Sequence, residues 1–188
     1  MLYQGRYRTN TARLPGGNYV CGWYFVTICT MHRAPLLGTI SGNRMHLTAP
    51  GLAAAHFCTE IPAHHPHAEL NGYVVMPNHM HAIIVLNEQE DLAVCDEASP
   101  PTPRPPDAVA ANAFGRPIKG SLPIVVGGYK AAVTRWCKAN GHADFGWQDN
   151  YHEHIIRNDD ELRHIQEYVQ NNVAQWINDC YNPDRKHS

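Results

Sequence analysis

Two histidines separated by one residue are the most suggestive chemical feature of this sequence. His79 and His81 lie in the apolar, β-branched segment 79–86, which is typical of a strand. Side chains two residues apart in a strand project from the same face, so the two imidazoles should stand side by side. They could bind one divalent metal ion, or they could be two polar side chains on a solvent-facing sheet surface. The spacing alone leaves both interpretations open.

Tyr168 and Asn172 form a second pair with chemical potential. They are four residues apart in a predicted helix over 159–179, and this spacing puts both on one side of the helix. An apolar stripe on the same helix should pack on a sheet, with Tyr168 at its border; the stripe comprises Leu162, Ile165, Val169, Val173 and Trp176. The alternative is a tyrosine at the edge of the core and an amide at the surface.

The remaining elements predict an α+β domain in which helices pack on a mainly antiparallel sheet. Strands are predicted at 23–30, 69–76, 79–86 and 151–156, and a small hairpin at 36–40 and 44–48. Gly42 and Asn43 tolerate the positive φ that the hairpin turn requires. Helices are predicted over 53–58, after Pro50, and over 122–140, before Gly141.

The segment 87–117 differs in composition from the rest of the chain. It is first acidic and then rich in proline and alanine, a composition that can build neither a helix nor a strand ladder. We interpret it as a flexible insertion within a single domain spanning residues 1–188. The length of 188 residues is that of one domain with a sizeable core.

The charge of the chain is unevenly distributed although its net value is only −2. Residues 1–59 and 108–143 each carry five basic residues and no acid, whereas 60–107 and 144–188 are strongly acidic. The two basic stretches could form one positive surface for nucleic acid, or their charges could be scattered in solvent. The candidate nucleic-acid contacts within the second basic stretch are Lys130, Arg135 and Lys138, with Lys130 and Lys138 predicted to be exposed.

Several protein classes are disfavoured by composition. No apolar run approaches the length of a membrane span, and the first residues do not resemble a signal peptide, so we expect a cytoplasmic protein. The six cysteines are widely spaced without a CxxC pair, which indicates reduced thiols, most of them in the core. Among the 13 histidines, those at 56, 64, 65 and 67 are expected at the surface around a helix end.

Five sequence blocks in order resemble the HUH single-tyrosine transposases, and most closely the REP-associated tyrosine transposases and their small insertion-sequence relatives. The blocks are YFVTICT (24–30), VVMPNHMHAIIV (74–85), GGYKAAVTRW (127–136), WQDNYHEHIIRN (147–158) and YVQNN (168–172). Two features depart from the family pattern: Val173 stands where relatives commonly have proline, and the insertion at 87–117 is additional.

The resemblance implies a ferredoxin-like antiparallel sheet domain that cuts and rejoins single-stranded or hairpin DNA, with palindromic repeats as candidate substrates. It implies that His79, His81 and Asn172 hold Mg²⁺ or Mn²⁺ and that Tyr168 is the nucleophile, forming a 5′-phosphotyrosine. Arg157, which lies in the resembling block 147–158, is a further candidate DNA contact. The protein would act as a monomer or homodimer. Two other functions stay open: a protein that binds structured DNA or RNA without cutting it, and a zinc-dependent hydrolase in which Tyr168 is only structural.

Overall fold

The computed structural model describes residues 21–87 and 119–182, which form an α+β fold. The strands are β1 (Gly22–Cys29), β2 (Gly38–Ser41), β3 (Arg44–Leu47), β4 (Ala68–Val75), β5 (His79–Leu86) and β6 (His152–Ile156). The α-helices are α1 (Ala49–Thr59), α2 (Ile61–His64), α3 (Leu122–Ala139) and α4 (Asp159–Asn171), and two 3-10 turns cover Met31–Arg33 and Trp176–Asn178. Apart from Asn87, the insertion predicted at 87–117 lies outside the described residues.

The main sheet has four strands in the order β4-β5-β1-β6, and each neighbouring pair is antiparallel. The predicted pairing of the strands on either side of Pro77 is therefore confirmed. Strand β1 lies at the centre, where its Thr27 is directly opposite His81 and its Cys29 is opposite His79. The β1–β5 register thus decides which side chains of β1 surround the two histidines.

The two faces of the sheet are covered by different helices. One face packs against α1 and α3 through a large apolar cluster that includes Val26, Met80 and Ile84 of the sheet and Val125 and Val133 of α3. The opposite face packs against α4 through a smaller cluster of Phe25, Ile83, Ile156, Ile165 and Val169. Because side chains alternate along each strand, the face under α4 is the one that carries His79 and His81.

The small hairpin forms as the sequence predicts. Strands β2 and β3 pair with each other, and the turn between them has Gly42 at φ 56° and Asn43 at φ 58°. These are the two residue types that adopt a left-handed conformation at low cost.

The last helix is shorter than predicted. Its periodicity predicts a helix to residue 179, but α4 ends at Asn171, with Asn172 as its cap. Consecutive asparagines are weak helix formers, and the amide of Gln175 bonds to the carbonyls of both Asn171 and Asn172 as the chain turns. As a result Trp176 does not continue the apolar stripe of the helix, and the segment 176–182 crosses back to the histidine pair.

None of the helices in the two described stretches has both the length and the apolar character needed to cross a membrane. The cysteines within those stretches form no disulfide: Cys29, Cys58 and Cys137 are buried, and Cys21 and Cys180 are exposed.

Candidate metal centre and its tyrosine

The two histidines of β5 are fully buried. His79 is 0% and His81 is 1% exposed, so the interpretation of a polar pair on a solvent-facing surface is wrong. Helix α4 and the segment that follows it cover this part of the sheet: the ring centroid of Tyr168 lies 5.2 Å from that of His81, and the ring centroid of Trp176 lies 6.1 Å from that of His79. Strand periodicity defines which face a side chain occupies, but another element must cover that face to bury it.

Hydrogen bonds orient both imidazole rings. Nδ1 of His79 lies 2.9 Å from Oδ1 of Asn78, which can only accept a hydrogen bond, so this nitrogen carries the proton. Nδ1 of His81 lies 2.8 Å from Oγ1 of Thr27, its partner across the strand pair. The Nε2 atoms of the two rings face each other at 3.1 Å. Outer partners that hold Nδ1 and aim Nε2 inward are typical of histidines that bind metals.

Burial keeps both histidines neutral. It lowers the pKa of His81 to about 3. Burial also lowers the pKa of His79 well below its usual range, and the proximity of His81 and the positive charge of Arg33 act in the same direction. A neutral imidazole has the free lone pair that metal binding requires.

The predicted nucleophile lies beside this pair. The hydroxyl of Tyr168 is 3.3 Å from Nε2 of His81. The phenol ring also contacts Phe25 edge to face, with centroids 5.9 Å apart, and Phe25 in turn stacks on His81 at 5.1 Å. Three aromatic rings from β1, β5 and α4 therefore hold the hydroxyl at the histidine pair.

Asn172 is buried rather than a surface amide. Its side chain is 2% exposed, and its Oδ1 atom has no hydrogen-bond partner within the described part of the chain. A buried amide oxygen without a partner is costly, and a bound cation would satisfy it. This observation is compatible with the ligand role that the family resemblance implies.

Asp179 is a further candidate ligand that the sequence patterns do not indicate. One ligand atom each from His79, His81 and the buried Asp179 carboxylate lie within 4.8 Å of one another, so these three residues could hold a metal ion. A carboxylate oxygen of Asp179 also accepts a hydrogen bond from the backbone amide of Tyr181 at 2.7 Å. The predicted helix over 159–179 does not indicate this contact. The contact forms because the chain turns after Asn172.

Tyr181 covers the outer side of His79. The two ring centroids are 4.5 Å apart, and Nδ2 of Asn78 donates a hydrogen bond to the Tyr181 carbonyl at 2.7 Å. Burial raises the pKa of the Tyr181 phenol above its ordinary range. Asn78 therefore contacts both His79 and the segment that covers it.

The predicted DNA-binding residues of α3 are not at this site. Arg135 and Lys138 are exposed, but α3 packs on the sheet face opposite to α4. Lys130 is half-buried rather than exposed, because its Nζ donates to the carbonyls of Gln148 at 2.6 Å and Asp149 at 3.0 Å. Burial lowers the pKa of Lys130, while the carboxylate of Asp149 opposes that effect.

Arg157 lies between β6 and the start of α4, at the end of the sheet away from the histidine pair, because β6 pairs its His152 with Thr27 and its Ile156 with Trp23. Its side chain is exposed, and its backbone amide donates to Oε2 of Glu161 at 2.9 Å. The other oxygen of Glu161 lies 2.6 Å from Nε2 of His154 on β6. Asn158 caps the helix by accepting a hydrogen bond from the Glu161 amide. These contacts attach the beginning of α4 to the edge of the sheet.

Comparison with known proteins shows a relative that matches nearly the whole chain. The chain is 34% identical over 179 residues to an uncharacterized protein of Haemophilus influenzae, and the match covers 93% of each protein. The chain belongs to the family of that protein. No protein-family model matches the sequence.

The solved structure of a REP-associated tyrosine transposase bound to a REP hairpin superimposes with a TM-score of 0.55, 22% identity, and coverage of 88% of this chain and 74% of the other. The fold is that of the HUH-type tyrosine transposases. The fold expected from the sequence blocks is thus confirmed. Within this HUH-type fold, His79 and His81 occupy one strand and Tyr168 the helix that packs on it.

Proposed function

We propose that this protein is a metal-dependent nickase and strand transferase of single-stranded DNA, with Tyr168 as the nucleophile. The observation that carries the proposal is the 3.3 Å approach of the Tyr168 hydroxyl to Nε2 of His81 within a buried pair of neutral histidines. The HUH-type fold supports the same conclusion.

The donor set suits a divalent cation. His79 and His81 present inward-facing Nε2 atoms, and the carboxylate of Asp179 is an oxygen donor close to them. The further ligand we propose is the buried amide oxygen of Asn172, which has no hydrogen-bond partner among the described residues. Mixed imidazole and oxygen ligands are compatible with Mn²⁺ and Mg²⁺. When bound, the ion would neutralise charge on the phosphodiester and help the 3′ oxygen to leave.

The reaction would be a transesterification. The Tyr168 oxygen attacks phosphorus, the bond between phosphorus and the 3′ oxygen breaks, and the phenol proton is released while the departing oxygen becomes a 3′-OH. The products are a 5′-phosphotyrosine and a free 3′ end. Because one phosphoester replaces another, a second 3′-OH can reverse the step and join a new strand without a nucleotide cofactor.

The substrate we propose is single-stranded or hairpin DNA. A strand must bend its phosphate into the region between β5 and α4, which a paired duplex resists, and its unpaired bases are free to stack on aromatic side chains. The transposase of similar fold is bound to a REP hairpin. Arg157 is exposed before the start of α4, at the end of the sheet away from the histidine pair, and is a candidate contact only for DNA that extends that far. Arg135 and Lys138 could contact only DNA that reaches the opposite side of the sheet.

Incubation of the protein with single-stranded and hairpin oligonucleotides in Mn²⁺ tests this function. We expect a protein–DNA adduct on a denaturing gel, and mass spectrometry of its peptides should map the nucleotide to Tyr168. Cleavage without an adduct would instead favour a zinc-type hydrolase, which two histidines and an aspartate could also support. Binding without cleavage would favour a protein that only holds structured nucleic acid.

A further inference from the structure

The loop that follows β1 is attached to the residues just before His79. Cys29, the last residue of β1, is directly opposite His79 in the sheet. The next residue, Thr30, is fully buried; its amide donates to the Asn78 carbonyl at 2.9 Å, and its Oγ1 lies 2.9 Å from the same oxygen. These contacts fix the position of the start of the loop relative to His79, a candidate metal ligand.

The same loop contains two consecutive residues in a left-handed conformation. His32 has φ 54° and Arg33 has φ 55°, and neither is glycine or asparagine. This conformation is unfavourable for residues with a Cβ atom and persists where the surroundings enforce it. Here the Met31 amide donates to the Gly146 carbonyl at 2.8 Å, and the Leu37 amide donates to the Pro77 carbonyl at 2.9 Å. The strain is thus maintained beside the candidate site.

The strained loop directs Arg33 toward the histidine pair. The guanidinium carbon lies 4.9 Å from the ring centroid of Tyr181, whose ring is 4.5 Å from that of His79. A cation–π contact with an aromatic ring needs no hydrogen bond from the guanidinium, so its N–H donors remain available. The side chain is exposed, and no carboxylate forms an ion pair with it within residues 21–87 and 119–182.

We propose that Arg33 is a phosphate-binding residue of the strand-transfer site, donating its N–H edge to non-bridging oxygens of the phosphodiester that lies at His79 and His81. This inference rests on the proposed function and adds a residue that the sequence motifs do not include. A guanidinium presents parallel N–H donors that match two phosphate oxygens, and the Tyr181 ring holds this guanidinium beside His79. The basic residues of α3 cannot take this role, because their helix packs on the other sheet face.

Binding can be tested without metal or catalysis. Inorganic phosphate is titrated into isotopically labelled protein while the Arg Nε–Hε resonances are followed by NMR, with Arg33 assigned by its loss in an R33K variant. Arg44, an exposed arginine in the β2–β3 hairpin, is the matched internal control. We expect the Arg33 signal to shift and saturate while the Arg44 signal stays in place. Equal shifts for both arginines, or no shift at Arg33, would overturn the inference.

The contribution to the reaction is measured with R33G, R33K and R44A. Glycine accepts the positive φ of position 33, so R33G should be at least as stable as the wild type to urea while lacking the guanidinium. Removing one preorganised donor to transition-state charge slows enzymes by about 10²–10³-fold, which we expect for adduct formation by R33G. R33K should recover part of that loss, and R44A should react at the wild-type rate.

The two experiments separate this inference from the proposed function. If the wild type forms the Tyr168 adduct and R33G forms it equally fast, the role of Arg33 is wrong and the nickase stands. If no DNA gives an adduct but phosphate shifts Arg33 selectively, the nickase proposal fails and the phosphate site stands.

Discussion

The hydroxyl of Tyr168 and Nε2 of His81 meet at 3.3 Å although 87 residues separate them along the chain. The contact depends on α4 docking on β5 through its buried Ile165 and Val169, which pack with Ile83. Since α4 covers the sheet face that carries both histidines, one helix–sheet interface creates both a buried imidazole pair and the position of the candidate nucleophile.

Tyr168→Phe should abolish the covalent adduct while retaining DNA binding. The variant keeps the ring that contacts Phe25 and His81 and loses one hydroxyl, so the free energy of unfolding should fall by about 1 kcal/mol or less. Adduct formation on a denaturing gel and affinity by fluorescence anisotropy measure the two properties. Tyr73→Phe, on the opposite side of the sheet, should behave as wild type. An adduct formed by Tyr168→Phe would mean that another group is the nucleophile.

His81→Ala should both prevent metal binding and destabilise the protein. A side chain that is 1% exposed leaves a cavity when truncated and removes the partner of Thr27, so we expect a loss of about 2–4 kcal/mol in urea unfolding. Isothermal titration with Mn²⁺ measures the metal site. His164→Ala, at an exposed position of α4, is the control and should change neither property. Unchanged Mn²⁺ affinity in His81→Ala would refute the proposed metal site.

Asp179→Asn tests whether the carboxylate contributes to the metal site. Asparagine is nearly isosteric and can still accept the hydrogen bond from the Tyr181 amide, so the fold should be preserved. Loss of a ligand charge should weaken Mn²⁺ binding by about tenfold or more. The parallel variant Asn172→Ala removes the unpartnered amide oxygen, and Asp144→Asn is the exposed control. Should only Asn172→Ala weaken Mn²⁺ binding, Asp179 is not a ligand.

Glu161→Gln should lower stability in a pH-dependent manner. Partial burial acts to raise the pKa of Glu161, but hydrogen bonds from the Arg157 amide and the His154 ring outweigh this effect and lower it. A lowered pKa in the folded state means that the stabilisation is complete above the ordinary glutamate value and is lost as the pH falls through the folded value. Urea unfolding should show a deficit of about 1–2 kcal/mol at pH 7 that disappears at low pH.

The matched control for Glu161→Gln is Glu167→Gln, an exposed position on the same helix. A constant deficit at all pH values would indicate that the charge of Glu161 is not involved. Glu161 attaches the start of α4 to β6 and has no part in the proposed reaction. The variant should therefore still form the Tyr168 adduct under conditions in which it is folded.

Lys130 and Lys138 should differ although both belong to one basic stretch of helix. Lys130→Met leaves the carbonyls of Gln148 and Asp149 without their ammonium donor, which should cost about 1–2 kcal/mol of stability with little change in the salt dependence of DNA binding. Lys138→Met removes an exposed charge and should leave stability unchanged. If Lys138 contacts phosphate, the slope of log affinity against log salt should fall by about one in that variant. If instead Lys130→Met lowers the salt dependence of DNA binding and Lys138→Met lowers stability, then Lys130 rather than Lys138 contacts DNA.

The sequence by itself determined the main strands and helices apart from the end of α4, the sheet face shared by His79 and His81, and the presence of Tyr168 on the last helix with Asn172 four residues later. These features follow from local periodicity, because alternation along a strand and repetition along a helix place side chains on defined faces. The turn at Gly42 and Asn43 was equally predictable from residue type, since both tolerate positive φ.

Only the tertiary structure decided whether those faces are shielded from solvent and which other residues contact them. The burial of His79 and His81 depends on the docking of α4, and the contact of Asp179 and Tyr181 with the pair depends on the chain turning after Asn172. Lys130 shows the same limit: helical periodicity placed it on a polar stripe, but the loop at 148–149 folds over its ammonium group. Contacts between residues distant in sequence arise from the packing of elements, and local patterns carry no information about which loop covers which face.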